Sequence, residues 1–486
     1  MKPMKIQSLF AFCMILLLCS CSKSAENVII YPAPAGEPLS DVYQVKVQGL
    51  DVPVYNAKVG MERKANRERA MDDQPNSALF YDVAGFASFD LISGTANVEV
   101  QVNEPVNTVK VLPESAGIKP KVSGKKVSFE VEKPGQLTVE VNGEHIRSLH
   151  LFVNPEETDV PDPGDPNVIY FGPGIHDLAE GIEVKDNQTV YIAGGAILRW
   201  HDVENVDSND RQQVRASRRA SFVLSGKHSA IRGRGIIDQE GIYRLKARNV
   251  MSITGEDIFV EGVILRDASV WTVSLRGADN VVIDNIKLLG HRANSDGIDI
   301  CDSWGVEVRN CFVRTLDDLV VVKTYNRPDG TGNVLVEKCV LWNEVAHALS
   351  IGAEVQQQVD GVIFRDCDII GDHCREWSLR VYQCDKGIVK NITFEDIRIE
   401  EAVKFISLWI NEATWSTDPE RGHISDITFR NIDLKTAPTV KGIELLGFDK
   451  EHAIERVTVD NVIVAGKKVT RDDIVANPFV YDLEVK

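Results

Sequence analysis

From residue 28 to about 154, apolar and polar residues alternate in short runs such as "DVYQVKVQG", "ANVEVQVNE", "KKVSFEVEK" and "GQLTVEVNG". A period of two turns one face of each run toward a core and the other toward water. Pro, Gly and Asn-Gly punctuation between the runs predicts a small β-sandwich over residues 28–154. The stretch "NPEETDVPDPGDPN" has no apolar period and is rich in Pro and Asp, so residues 155–166 read as a linker.

Beyond residue 167 the pattern changes. Short apolar strands recur, each closed by a polar residue or Gly and then an apolar one: "FVEGV", "VIDNI", "EVRNC", "LVEKC", "IFRDC", "TFEDI", "TFRNI" and "TVDNV". Their last residues, from Val263 to Val462, are spaced 23, 25, 28, 28, 30, 35 and 30 apart. Eight strand-rich copies at this period predict a right-handed parallel β-helix over residues 167–486. Leucine-rich repeats would need a Leu spacing that is absent, and propeller blades would need longer, four-stranded units. The penultimate residues are Gly262, Asn285, Asn310, Lys338, Asp366, Asp396, Asn431 and Asn461. Most are of the types that tolerate the left-handed backbone of a sharp corner. In this register Cys311, Cys339 and Cys367 fill a slot held elsewhere by Val or Ile, so they are expected as free thiols in an interior ladder. The register does not place Cys301, Cys374 or Cys384.

Composition narrows the partners. A formal charge of -18 disfavours nucleic acid and anionic membrane surfaces, which need a basic face. The first 25 residues open with two lysines, Lys2 and Lys5, ahead of an apolar stretch too short to span a bilayer that ends in Leu18-Cys19-Ser20-Cys21. That ending resembles the lipobox of bacterial lipoproteins, with Cys21 as the lipidated residue. A periplasmic or cell-surface protein, monomeric and held to the membrane by a lipid alone, is the expectation.

Each coil carries a second strand: "GIDIC", "LVVVK", "ALSIG" and "SLRVY". Asp296, the Asp317-Asp318 pair and His347 stand just before the first three, so stacking at about 4.8 Å per coil should gather them into one outward row. Trp377 and Arg380 belong to the next coil. Clustered acids drive their pKa values apart, which leaves one carboxyl protonated beside another that is ionised. Glycoside hydrolysis requires that pair. A solvated Asp-rich turn or a calcium site are the plainer alternatives, and no metal or cofactor is called for.

In order, "NSDGIDI", "LDD", "AHA" and "LRVY" resemble the polygalacturonase pattern NTDGID, DD, GHG, RIK of glycoside hydrolase family 28. "IRGRGIIDQEG" is similar to that family's Gly-rich coil. Family 49, with its dextranases, shares the helix and acids and places a sandwich ahead of them. The resemblance implies an inverting hydrolase of a polysaccharide or oligosaccharide. Asp317 would be the general acid, Asp296 and Asp318 would hold the attacking water, and His347 would orient an acid or contact the sugar. Asn294 and Arg380 would meet substrate. The sequence departs from the pattern at Ala346 and Ala348 in place of the glycines, and at Tyr382 in place of the lysine. Lys323 is a candidate to replace that lysine, and Tyr382, Trp377, Trp409 and Trp415 are candidates to stack on sugar. The clustered arginines of "NDRQQVRASRRA" (209–220) read as an insertion, either a solvated loop or a basic lip. A β-helical lyase acting on a uronate, or a glycan-binding β-helix without catalysis, are the rival functions.

Overall fold

The computed structural model describes residues 23–60, 81–243, 246–373 and 375–486. Residues 1–22 of the expected signal segment, with Cys21, lie outside them, as does Cys374; Lys23–Ala25, counted with that segment from the sequence, instead pairs as an edge strand with Val28–Ile30. No helix among the described residues is long and apolar enough to cross a membrane.

The N-terminal runs form two facing sheets. One has seven strands, centred on Asp82–Leu91 and Glu144–Pro155, which pair in parallel within otherwise antiparallel surroundings. The other has five, ordered Leu50–Val52, Tyr43–Val47, Ala96–Val102, Lys126–Val131 and Lys121–Ser123. Their inward residues, among them Val45, Phe89, Val98, Val100, Val127 and Leu151, make one buried cluster, as period-two alternation requires.

From Val168 onward every coil contributes to three parallel faces. Two belong to a continuous 21-stranded sheet folded along the corner, and the third is a separate 11-stranded sheet. The fold is thus a parallel β-helix preceded by a β-sandwich. The corner residues bend as their side chains suggest: Gly262, Asn285, Asn310, Lys338, Asp366, Asp396, Asn431 and Asn461 all have φ between 52° and 80°. Stacked side chains link several of them, as where Asn461 Nδ2 donates to Asn431 Oδ1 at 2.9 Å and Asn431 Nδ2 to Asp396 Oδ1 at 2.9 Å. Even Lys338 adopts the bend, so register overrides residue preference there. Cys311, Cys339 and Cys367 are free and buried in the interior stack; Cys301 and Cys384 are also free and buried. The arginine-rich insertion contains a helix, Arg211–Ser217, with no buried residue, whose first turn is capped by the Asp210 carboxylate.

The sandwich packs on the helix along strands such as Phe312–Thr315 and Val340–Asn343, every residue of which is buried because both sides are covered. Tyr55, Phe86, Leu112 and Phe152 meet Ile264, Leu289, Phe312 and Trp342 there. Buried charges cross the same contact. Arg234 Nε donates to Asp90 Oδ1 at 3.1 Å. Arg314 donates to Glu344 Oε1 at 3.0 Å, to His150 Nε2 at 3.0 Å and to the Ile146 carbonyl at 2.8 Å. Lys287 is bonded to Asn154 and to the Asn285 carbonyl, and its burial pushes the ammonium down to about 7. The segment between the units carries no regular element, yet it is pinned along the helix by Tyr191 donating to Glu157 at 2.9 Å and by the Arg232–Asp159 pair at 2.7 Å.

Candidate active site

The 11-stranded sheet builds the site. Ile298, Val320, Leu349 and Leu379 are register partners on successive coils and point into the core. Two residues earlier on those coils stand Asp296, Asp318, His347 and Trp377. The ladder runs through this row: Gly297 N–H donates to the Asp318 carbonyl at 2.8 Å, and Leu319 N–H to the His347 carbonyl at 2.9 Å. The side chains therefore leave a backbone fixed by sheet hydrogen bonds, with little reorganisation left for the reaction.

One oxygen from each of Asp296, Asp317 and Asp318 lies within 4.8 Å of the others. Hydrogen bonding separates their proton states. Arg380 Nη1 approaches His347 Nε2 at 2.5 Å, and a guanidinium can only donate, so Nε2 accepts and the ring proton sits on Nδ1. Nδ1 then donates to Asp318 Oδ1 at 2.5 Å. This is a hydrogen bond from a neutral imidazole rather than an ion pair, in keeping with His347 being pushed down by burial and by Arg380. Although burial opposes it, the His347 bond together with Lys323 and Arg380 holds Asp318 below the usual carboxylate range. Asp317 goes the other way: burial, then the neighbouring Asp318 charge, push it up to about 7. Asp296 is raised by burial and by Asp299 and Asp317. At weakly acid pH the row therefore holds ionised Asp318 beside protonated Asp317.

The other expected residues fall around this row. Lys323 is buried, its ammonium 3.3 Å from Asp299 Oδ1 and 3.6 Å from Asp296 Oδ2, and these acids keep it firmly cationic. It also lies over the Trp271 ring at 4.5 Å. Tyr382 stacks on Trp409 at 5.1 Å, donates its hydroxyl to the Glu412 carbonyl at 2.8 Å and carries the Arg380 guanidinium on its ring at 4.1 Å. Trp377 is buried and flanked by Lys404 and Lys441. Asn294, half-buried, turns the chain into the Asp296 strand with φ 58°. Trp415 is 58% exposed.

Sequence reasoning did not single out Asp299 or Trp271. Asp299 is fully buried, pushed up to about 7 by burial, and pairs with Lys323. Its signal was a charge at the outward-facing position of the "GIDIC" strand. Trp271 stands two residues before Val273, which pairs with Ile298, so it occupies the Asp296 position one coil earlier.

A β-helix that presents a coil-spaced acid row backed by His and Arg defines a class of carbohydrate-active proteins. Residues 180–478 match Glycosyl hydrolases family 28, and the chain belongs to that family. It is 28% identical over 210 residues to a polygalacturonase of Juniperus ashei, covering 40% of this chain and 38% of that one. A polygalacturonase of Penicillium janthinellum is 24% identical over 183 residues, covering 36% and 37%. The matched segments thus span well under half the length of these relatives. Among solved structures, a hyperthermoactive exopolygalacturonase from Thermotoga maritima is similar at 16% identity and TM-score 0.49, covering 66% of this chain and 84% of that one.

Proposed function

We propose that this protein hydrolyses a polysaccharide or oligosaccharide of the pectic type, with Asp317 as general acid and Asp318 as the base that activates water. The observation that carries the reading is the opposite surroundings of two adjacent carboxyls: His347 Nδ1 donates to Asp318 at 2.5 Å, while Asp317 receives no such bond from His347 and is raised by burial beside the Asp318 charge. Asp317 keeps a proton for the leaving oxygen while Asp318, held ionised by His347, can take one from water. Asp296, whose Oδ1 has no hydrogen-bond partner among the described residues, positions that water. Lys323 and Asp299 beneath it fix the charge of the floor. A lyase would need a neutral basic side chain to abstract a proton, and Lys323 is held cationic by three acids, which favours hydrolysis.

Inversion is part of the proposal and rests on family membership. The closeness of the row, with one oxygen from each of Asp296, Asp317 and Asp318 within 4.8 Å of the others, gives a second reading its footing: a carboxylate nucleophile with retention, which needs carboxyl groups roughly 5 Å apart. A lipid anchor at Cys21, a periplasmic or cell-surface location and a monomeric state complete the proposal. Mass spectrometry of the N-terminal peptide from membrane-bound protein tests the anchor, and an unlipidated Cys21 there would contradict it.

The pH profile tests the assignment of acid and base. Asp317 must be protonated, so kcat/KM on polygalacturonate should fall about tenfold per pH unit above about 7. It should hold to below the ordinary aspartate range on the acid side, because Asp318 is lowered. Activity that rises from pH 7 to 9 would contradict the assignment.

A further inference from the structure

We propose that Arg276, clamped between Trp271 and Tyr325, binds the carboxylate of an acidic sugar residue on the N-terminal side of the acid row. This inference rests on the hydrolase reading and gives its groove a specificity-determining residue. Arg276 ends the strand Val273–Arg276, one coil before Asp296 and two before Asp318, roughly 5 and 10 Å along the helix axis. Its side chain is exposed, with the guanidinium 4.9 Å from the Trp271 ring centre and 5.4 Å from that of Tyr325. Two aromatic contacts hold it in place without neutralising it.

No carboxylate among the described residues pairs with it, because the nearby acids are taken. Asp279 receives Arg327 Nη1 at 2.8 Å, and Asp302 receives the backbone N–H groups of Tyr325 and Asn326 at 2.7 and 3.1 Å. These residues and Arg276 line a depression of about 650 Å³. The same Trp271 ring lies 4.5 Å from the Lys323 ammonium, which is 3.6 Å from Asp296 Oδ2, so a chain of side-chain contacts links Arg276 to the acid row.

The charges at the row itself make a cation here necessary for an acidic substrate. Arg380 is committed to His347, Lys323 is buried among acids, and position 382 is a tyrosine bonded to the Glu412 carbonyl. On a chain with formal charge -18, an acidic polymer meets net repulsion. A guanidinium with no carboxylate partner among the described residues, fixed beside an aromatic ring, offers a two-pronged carboxylate contact and an apolar wall for the sugar.

The test compares tetragalacturonate with its methyl ester, for wild type, Arg276→Ala and Arg276→Lys. Expected for Arg276→Ala is a KM raised about tenfold on the acid, with kcat within about twofold and no change on the ester. Arg276→Lys should fall between, since it keeps the charge and loses the fork. An equal loss on acid and ester, or no loss on either, overturns the proposal. Calorimetric titration of tetragalacturonate into the same proteins separates this inference from the hydrolase reading. Binding that Arg276→Ala weakens, in a wild type that turns over neither these compounds nor any other pectic chain, would sink the hydrolase reading and keep the Arg276 site.

Discussion

Replacing Asp317 with Asn is expected to lower kcat roughly a thousandfold while KM stays within a few-fold, because proton donation to the leaving oxygen is made only in the transition state. The change should not destabilise the fold. Burial and Asp318 raise the Asp317 carboxyl from its ordinary value of 3.8 to about 7. A carboxyl whose folded pKa lies above its unfolded value contributes stability fully below the unfolded value and loses it as pH climbs through the folded one. Near pH 8 the wild type thus carries an ionised, poorly solvated Asp317 next to ionised Asp318, and Asn relieves that repulsion. Urea unfolding at pH 8 should find Asp317→Asn at least as stable as wild type. A variant that is both inactive and markedly less stable would show that Asp317 serves packing rather than proton transfer.

The largest stability effect is expected at Arg314, whose side chain faces the sandwich. It is fully buried, lies 4.1 Å from the Trp342 ring centre and ties the helix to His150 and Ile146 of the sandwich. Its carboxylate partner Glu344 is also fully buried. Arg314→Ala leaves that charge without its guanidinium and opens a cavity between the two units, at a cost of about 3–5 kcal/mol. Arg314→Met combined with Glu344→Leu should recover much of the loss, since replacing both partners removes the buried pair as a whole. Guanidinium unfolding followed by tryptophan fluorescence reads both. A loss below about 1 kcal/mol in the single variant would mean that the contact is solvated and adds little.

How far the sequence carries is clearest at particular residues. The corner at Asn285, Asn310 and Asn431 is legible because a parallel coil must turn sharply, and few side chains favour the left-handed bend. The gathering of Asp296, Asp318 and His347 is legible because each stands two residues before a register partner, and stacking converts equal offsets into neighbours; Asp317 joins them as the residue next to Asp318. Side-chain reach is not encoded that way. Lys323 could be placed on its strand, yet only the folded chain shows its ammonium turned toward Asp299 and Asp296. Tyr382 replaces a lysine in the family pattern, but its bond to Glu412 depends on a loop whose path no periodicity describes. The packing of the sandwich on the helix was hidden for a related reason. A doubly apolar strand such as Val340–Asn343 says that both faces are covered, without saying by what.

Proton NMR of the first product formed from polygalacturonate tests the central claim most directly, because one spectrum reports bond cleavage, the chemistry used and the anomer released. The expected result is a saturated reducing end that appears first as the anomer opposite to the linkage cleaved and then mutarotates. A product keeping the original configuration would transfer the water-activating carboxylate to the role of nucleophile. An unsaturated product, or none from this or any other pectic chain, would contradict hydrolysis by this acid row.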